Sequence, residues 1–419
     1  MRAAARAVTV AAALGFLTIA RASDAQPPAA VPPSPEATAQ DSERSQESTD
    51  PLDGIRFAFG FDGYYAWNPN RPIGRVNLLR AYDVSSNNFS VNQASVIVER
   101  PIDVNRGRRA GLRVDLMFGQ ATETLQGSAT NEPRPQVYRQ LFQAYGSYVV
   151  PAGKGLPIDF GKFASALGFE GNYTKDQINY SRSYYFNFLP FYHMGLRATY
   201  PPSGKLSLTY WLVNGAQQTE DFNGFKSQAA IITIKPHPSL SWNVNYYTGR
   251  ESRDLNPALN PGLPSLPTQP GLSVDPVVMA DRSRLHIFDT YAAWTRGPAT
   301  LVVEGDYVAL RPQSGAAAVV KGGAFYAQYR VAPPAQLAFR YEYFADRDGL
   351  FSGVAQNLQE VTATATVQLA AGLQLRGEWR RDWSDSDFFL GSSIEDRRRA
   401  QQTLTAALVW WFGTKQGSW

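Results

Sequence analysis

Charged residues recur two positions apart in this chain, each set embedded in an apolar–polar alternation. Arg113 and Asp115 form one set. Glu304 and Asp306, Arg340 and Glu342, and Arg376, Glu378 and Arg380 form others, and Arg330 stands alone in a further segment. A period of two places each set on one face of a β-strand. In Leu112 to Phe118, for example, Leu112, Val114, Leu116 and Phe118 occupy the opposite face. Acids and bases that face each other across a narrow wet section select and orient dipolar or charged solutes. The same residues could instead pair across neighbouring strands and only fill a wet wall. Arg outnumbers acid in the late segments and in Pro101 to Ala110, so any passage they line is expected to prefer anions mildly.

Catalytic chemistry finds no matching set. His193, His237 and His286 are the three histidines, and no two show metal-ligand spacing. Asp254 to Asp281 carries scattered acids among prolines without a ligand pattern. The absence of Cys removes disulfides, thiol catalysis and thiolate metal sites. No catalytic, cofactor or metal residue is therefore expected, and the chain is read as a non-enzyme. A formal charge of +4 on 419 residues is too balanced to argue for nucleic acid.

The elements that would carry these charges are long alternating strands. Leu301 to Tyr307, Ala335 to Phe344, Val361 to Leu369 and Leu373 to Arg380 all alternate. About sixteen such segments follow one another, an even number as bacterial barrels require. They start near Ile55, Phe89, Gly111, Tyr138, Pro157, Met194, Leu206, Ser227, Leu240, Arg284, Thr300, Gly322, Ala335, Leu358, Leu373 and Gln402. Their links alternate between short, as at Pro201 to Gly204 and Thr295 to Pro298, and long, as at Trp67 to Asn88 and Ala164 to His193. A transmembrane antiparallel up-and-down β-barrel has this asymmetry, with tight turns at one end and roomy loops at the other. Mean hydropathy is −0.30, as expected where the apolar face is only every second residue. Aromatic pairs near strand ends, such as Tyr64–Tyr65, Tyr246–Tyr247 and Trp410–Trp411, are expected to form interfacial girdles.

The chain divides into three parts. Residues 1–25 read as a signal peptide: Arg2 and Arg6, an apolar core from Ala7 to Ala20, and small residues Ser23 and Ala25 before the cleavage point. Residues 26–52 are rich in Pro, Ser and Gln and read as a disordered periplasmic linker. Residues 53–419 make the barrel. The expected location is the bacterial outer membrane with both termini periplasmic.

Three segments carry a family resemblance: FGFDGYYAWNPNRP, ending at Pro72; Leu79 to Asp83 with Asn87 to Ala94, running on to Pro101; and INYSRSYYFNFLPFYHMGLRATY, from Ile178 to Tyr200. They resemble the beta-barrel porin-2 (OmpL-like) family of outer-membrane porins. The resemblance implies a channel for passive diffusion of small hydrophilic solutes or ions and carries over no catalytic residue. A substrate-selective porin of anion or phosphate type, or a closed structural or adhesive barrel, are the alternatives. By analogy with general porins, the third long loop, Ala164 to His193, would fold inward as a constriction. Glu170, Lys175, Asp176 and Arg182 would be its polar groups, and Tyr173, Tyr180, Tyr184, Tyr185 and Phe186 would pack on the wall. A surface loop capping a neighbouring subunit is the competing reading. Implied partners are outer-membrane lipid and lipopolysaccharide, the barrel assembly machinery and, as in many porins, two further copies in a homotrimer. The aromatic assembly signal is either Phe412, where the last strand stops, or Trp419.

Overall fold

A computed structural model describes residues 53–126, 132, 135–252, 282–415 and 417–419. The signal peptide, the linker and the acid-bearing stretch 254–281 lie outside the described residues.

Alternation does close a barrel. Sixteen antiparallel strands, labelled here in chain order, form one continuous ring. They are β1 (Arg56–Trp67), β2 (Phe89–Arg100), β3 (Ala110–Phe118), β4 (Leu141–Val150), β5 (Leu156–Ala164), β6 (Tyr192–Ser203), β7 (Leu206–Val213) and β8 (Ser227–His237). The ring continues through β9 (Leu240–Gly249), β10 (Arg284–Arg296), β11 (Ala299–Arg311), β12 (Ala318–Ala332), β13 (Ala335–Asp346), β14 (Gln356–Ala370), β15 (Leu373–Ser384) and β16 (Ala400–Gly413). The last strand pairs with the first from Ala58↔Gly413 to Trp67↔Leu404, which leaves no free sheet edge.

Every strand expected from sequence exists, and most begin within two or three residues of the expected start. The largest shift is at β12, which begins at Ala318 and not near Gly322, while Tyr138 departs in kind. It ends a short helical turn, Pro135–Tyr138, and β4 begins only at Leu141. Pro135 suits the first turn of a helix and cannot serve a sheet ladder.

Short links gather at one end: Gly204–Lys205, Pro238–Ser239, Gly297–Pro298, Pro333–Pro334 and Ala371–Gly372. Gly372 shows why such turns need glycine. Its φ is +72°, and a Cβ there would come within 1.9 Å of the Trp411 carbonyl oxygen.

Period two also corrects the girdle expectation. Adjacent aromatics must point to opposite faces. Tyr343, Trp379 and Trp410 face outward, but Tyr64 and Tyr247 are buried inside. Inside, the core is not a second sheet but loop side chains packed on inward strand residues. Phe163, Tyr184, Tyr185, Leu189, Trp211, Phe344 and Leu358 make one apolar cluster. Tyr82, Phe142, Tyr173, Phe186 and Phe191 contribute to another. Each buried aromatic contributes about 1.5–3 kcal/mol.

Two loops beyond the barrel rim are joined by Glu251. Its carboxylate accepts hydrogen bonds from the Ala216 N–H (2.8 Å), Gln218 (2.9 Å), Ser227 (2.9 Å) and Tyr247 (2.6 Å). Burial, the largest influence, raises its pKa above the ordinary 4.5 despite these donors. A carboxyl raised in the folded state favours folding below its unfolded pKa, and that contribution is lost as pH rises through the folded value. Thermal unfolding in detergent, compared at about pH 4 and about pH 8, should show this loss in the native chain and a smaller one in Glu251→Gln. Equal pH slopes in both would contradict it.

Candidate functional site

The third loop, between β5 and β6, folds into the barrel and is fastened to its wall. The fastening uses the alternating charges. On β13, Glu342 accepts the N–H groups of Tyr184 (2.7 Å) and Tyr185 (3.0 Å). These amides open a short helix, Tyr184–Phe188, whose N-cap Ser183 accepts the Phe186 N–H. A helix start has unpaired N–H groups and a partial positive charge, so an inward carboxylate satisfies both. On β15, Glu378 accepts the N–H groups of Tyr180 (2.6 Å) and Ser181 (3.0 Å). The basic residues take the complementary part and donate to loop carbonyls. Arg340 donates to Ser181 O (2.7 Å), Arg376 to Gln177 O (3.1 Å), and Arg380 to Arg182 O.

The loop is held on its other flank too. Thr174 and the Tyr180 hydroxyl donate to Asp62 on β1 (2.6 and 2.9 Å), and the Tyr173 hydroxyl donates to Asp115 on β3 (2.6 Å). On β10 and β11, Asp289 and Glu304 accept the N–H groups of Gly168 and Phe169 (2.8 and 2.7 Å). Burial pushes the Tyr180 and Tyr184 hydroxyls well above the usual tyrosine range. Both therefore stay protonated donors, Tyr184 to Asp382 at 2.8 Å.

The first loop lies over the third. Arg80 pairs with Asp83 and with Asp382 of β15 (2.8 Å for the latter), and all three side chains are fully enclosed. Tyr82 packs edge-on to Phe186, with ring centroids 5.4 Å apart. From below, the Trp419 ring enters the lumen. It stacks edge-on to Tyr173 at 5.5 Å, with the Lys175 ammonium 4.8 Å from its centroid. Phe412 instead faces outward, stacked on Phe59.

The expected wall residues all lie on the inward face, but most do not face open lumen. Asp115, Glu304, Asp306, Arg340, Glu342, Arg376, Glu378 and Arg380 are buried. Arg340 bridges Glu360 (2.6 Å) and Glu170 (2.7 Å). Arg113 makes a bidentate pair with Asp115, both contacts 2.8 Å, and keeps a partly open guanidinium. Arg330 is exposed near the Pro333–Pro334 turn.

Of the four loop groups named as constriction candidates, Glu170 and Arg182 are buried, whereas Lys175 is half-buried and Asp176 exposed. Glu170 binds Arg340 and caps the Ser183 N–H (2.6 Å). Arg182 donates to the carbonyls of Tyr180 (2.6 Å), Gly171 and Asn172. Lys175 binds Asp176 (2.6 Å) and Gly417 O (2.9 Å), and Asp176 accepts the Trp419 N–H (2.9 Å). The five aromatics assigned to packing are all buried.

Sequence reading missed Asp62, Asp289, Glu360 and Asp382, which carry as much of the fastening as the residues it named. It also missed Arg80 as a loop-to-wall contact and Tyr82 as a loop-to-loop one, although both stand in one of the resembling segments. The wall from β4 to β8 is the part left partly open. Its half-buried inward residues are Ser147, Asp159, Arg197, Thr199, Thr209 and Thr233. Arg197 and Asp159 pair there at 2.8 Å.

A closed sixteen-stranded barrel with a loop docked inside and polar groups left along one wall defines an outer-membrane porin. The family model described as "Putative beta-barrel porin-2, OmpL-like" matches residues 55–412, and the chain belongs to that family. The match extends far beyond the three resembling segments. These relationships place the protein in the bacterial outer membrane.

Solved structures share the fold at low identity. The anion-selective porin from Comamonas acidovorans is 9% identical with a TM-score of 0.54, covering 85% of this chain and 99% of that one. OprB of Pseudomonas putida is 12% identical with a TM-score of 0.53, covering 86% and 94%. The outer membrane channel DcaP of Acinetobacter baumannii is 10% identical with a TM-score of 0.51, covering 85% and 96%. No curated protein sequence matches the chain.

Proposed function

We propose that small hydrophilic solutes diffuse through an eyelet between the docked third loop and the β4–β8 wall, with a mild preference for anions. The observation behind this reading is the unequal burial of the inward face. Where the loop docks, wall charges are enclosed; opposite it, Asp159, Arg197 and their neighbours stay partly open. Within that section Arg197 is matched by Asp159, so the anion preference rests on the exposed Arg330 of β12, beyond it. The constriction is then a property of the loop's position, with Lys175 and Asp176 at its lower rim beside Trp419. A porin described as anion-selective shares this fold, in agreement with the reading.

Both strand ends, Arg56 and Gly413, lie at the short-turn side, which in this reading is periplasmic. Phe412, lipid-facing at the strand end, is the residue offered to the assembly machinery, and lipopolysaccharide surrounds the long loops. A homotrimer fits an outward row of small residues, Ala365, Gly377 and Ala406, which are direct cross-strand neighbours. A fold neighbour, OmpT of Vibrio cholerae, is described in a trimer form. Sedimentation of the refolded barrel distinguishes three copies from one.

The functional test is planar-bilayer recording of the refolded barrel in a KCl gradient. Stable steps with a reversal potential on the anion side are expected. A cation-side reversal would sink the selectivity, and a folded barrel without conductance would favour the closed adhesive alternative.

A further inference from the structure

Three acids on two neighbouring strands form a cluster that the loop docking does not explain. Asp289 of β10 and Asp306 of β11 are direct cross-strand partners, and both point inward. Like charges directly opposite one another destabilise a strand pair. Glu304 stands two residues from Asp306 on the same face. One carboxylate oxygen from each of the three lies within 4.8 Å of the others. All three residues are more than nine-tenths buried.

Their hydrogen bonds are incomplete on one side only. Asp289 Oδ2 accepts from Gly168 N–H (2.8 Å) and Asn245 Nδ2 (2.5 Å). Glu304 accepts from Phe169 N–H (2.7 Å) and the Tyr326 hydroxyl (2.8 Å). Asp289 Oδ1 and both Asp306 oxygens receive no donor from any other residue, and the two carboxyls stand within hydrogen-bonding reach of each other. Two further groups beside the acids are also unpartnered and fully enclosed: Asn245 Oδ1 and the Tyr185 hydroxyl. Asn245 is the direct cross-strand partner of Asp289 on β9. The Tyr185 hydroxyl sits 2.8 Å from where a Cβ would stand at Gly322, and Gly322 is the direct partner of Asp306 on β12. Glycine at that position lets the loop tyrosine reach the acids.

Among the described residues no Lys or Arg pairs with these carboxylates. Arg340, two strands away, is committed to Glu170 and Glu360. Enclosing several uncompensated negative charges costs several kcal/mol per ion. A cation removes that cost.

We propose that Asp289, Glu304 and Asp306, with Asn245 Oδ1 and the Tyr185 hydroxyl, bind one hard divalent cation of the calcium type. The donors are all oxygens, which suits calcium or magnesium and excludes a preference for softer metals. Calcium–oxygen bonds of about 2.3–2.6 Å let ligands on opposite sides of one ion stand roughly 5 Å apart. Magnesium, at about 2.0–2.1 Å, requires a tighter set, roughly 4.2 Å across. The cation would join β9, β10 and β11 to the loop through Tyr185, beside the Gly168 and Phe169 anchors.

The test uses the full chain refolded in detergent free of lipopolysaccharide, stripped with a chelator and titrated calorimetrically with calcium chloride. Terbium luminescence excited through tyrosine is read in parallel. One saturable calcium site per chain is expected, with affinity falling at least about tenfold in Asp306→Asn, the loss of one good charged ligand. Glu123→Gln, which removes an exposed loop acid, should bind as the native chain does. Heat-modifiable migration shows which variants are folded, and Glu304→Gln replaces Asp306→Asn if that variant is not. The proposal is overturned if the native chain takes up no saturable calcium, since the acids would then hold protons between them. It is equally overturned if the folded acid variants bind as tightly as the native chain.

Discussion

Removing Glu170 to Phe188 and rejoining Phe169 to Leu189 through a short Gly-Ser link should raise single-channel conductance several-fold. The reason is where the loop's polar groups go. The removed segment's amides end on Glu342 and Glu378, and its carbonyls on Arg340, Arg376 and Arg380. These partners line the wall at β13 and β15, so the segment occupies that side of the lumen. Without the segment, the enclosed charges become solvated wall, and an open wall of both signs conducts. The barrel itself should survive, because its ladder closes independently of the loop, from β1 to β16. Conductance unchanged within scatter, in a variant that still migrates as a folded barrel, would show that the loop does not set the pore.

Arg340→Met should cost about 3–5 kcal/mol of stability, the usual result of removing one partner from a buried ionic set. Arg340 holds Glu170 at 2.7 Å and Glu360 at 2.6 Å, and the three side chains are at most 3% exposed. Deleting the guanidinium leaves two enclosed carboxylates, with Glu360 keeping Arg380 at 3.4 Å and the Thr362 hydroxyl at 2.5 Å. The Ser181 carbonyl also loses its donor. Adding Glu170→Gln and Glu360→Gln to Arg340→Met should recover most of the loss, because the unpaired charge is gone. Urea unfolding of the three proteins reads this directly. A single variant within about 0.5 kcal/mol of native, the range of ordinary surface changes, would mean that the Arg340 set is not a buried anchor.

The barrel was legible because its physics is local. Leu301, Val303 and Tyr307 against Glu304 and Asp306 fix two faces in any environment, and Gly or Pro at the turns fixes the ends. What each inward charge faces is not local. Glu378 and Tyr180 are 198 positions apart, and nothing in the alternation of β15 announces a loop amide as its partner. Alternation gave the inward face correctly, and a water-filled lumen was then the natural assumption. The loop displaced it, because the buried charges Arg340, Glu342, Arg376, Glu378 and Arg380 can be satisfied more cheaply by loop backbone groups in place than left to a crowded, poorly hydrated gap. The aromatics of the loop were the legible half: Tyr173, Tyr180, Tyr184, Tyr185 and Phe186 have too much apolar surface for an exposed loop. The acid cluster was hidden for another reason. Asp289 and Asp306 meet only through strand register, which a link of unknown turn length leaves open by one residue and hence by one face.

Hydrogen exchange on the refolded native barrel tests the docked loop most directly. The amides of Gly168, Phe169, Tyr180, Ser181, Tyr184 and Tyr185 are donated to wall carboxylates. Enclosed and hydrogen-bonded, they should exchange as slowly as the strands that hold them. Exchange of peptides spanning these residues as fast as in the surface turn from Asp221 to Gly224 would contradict a loop fastened inside the barrel.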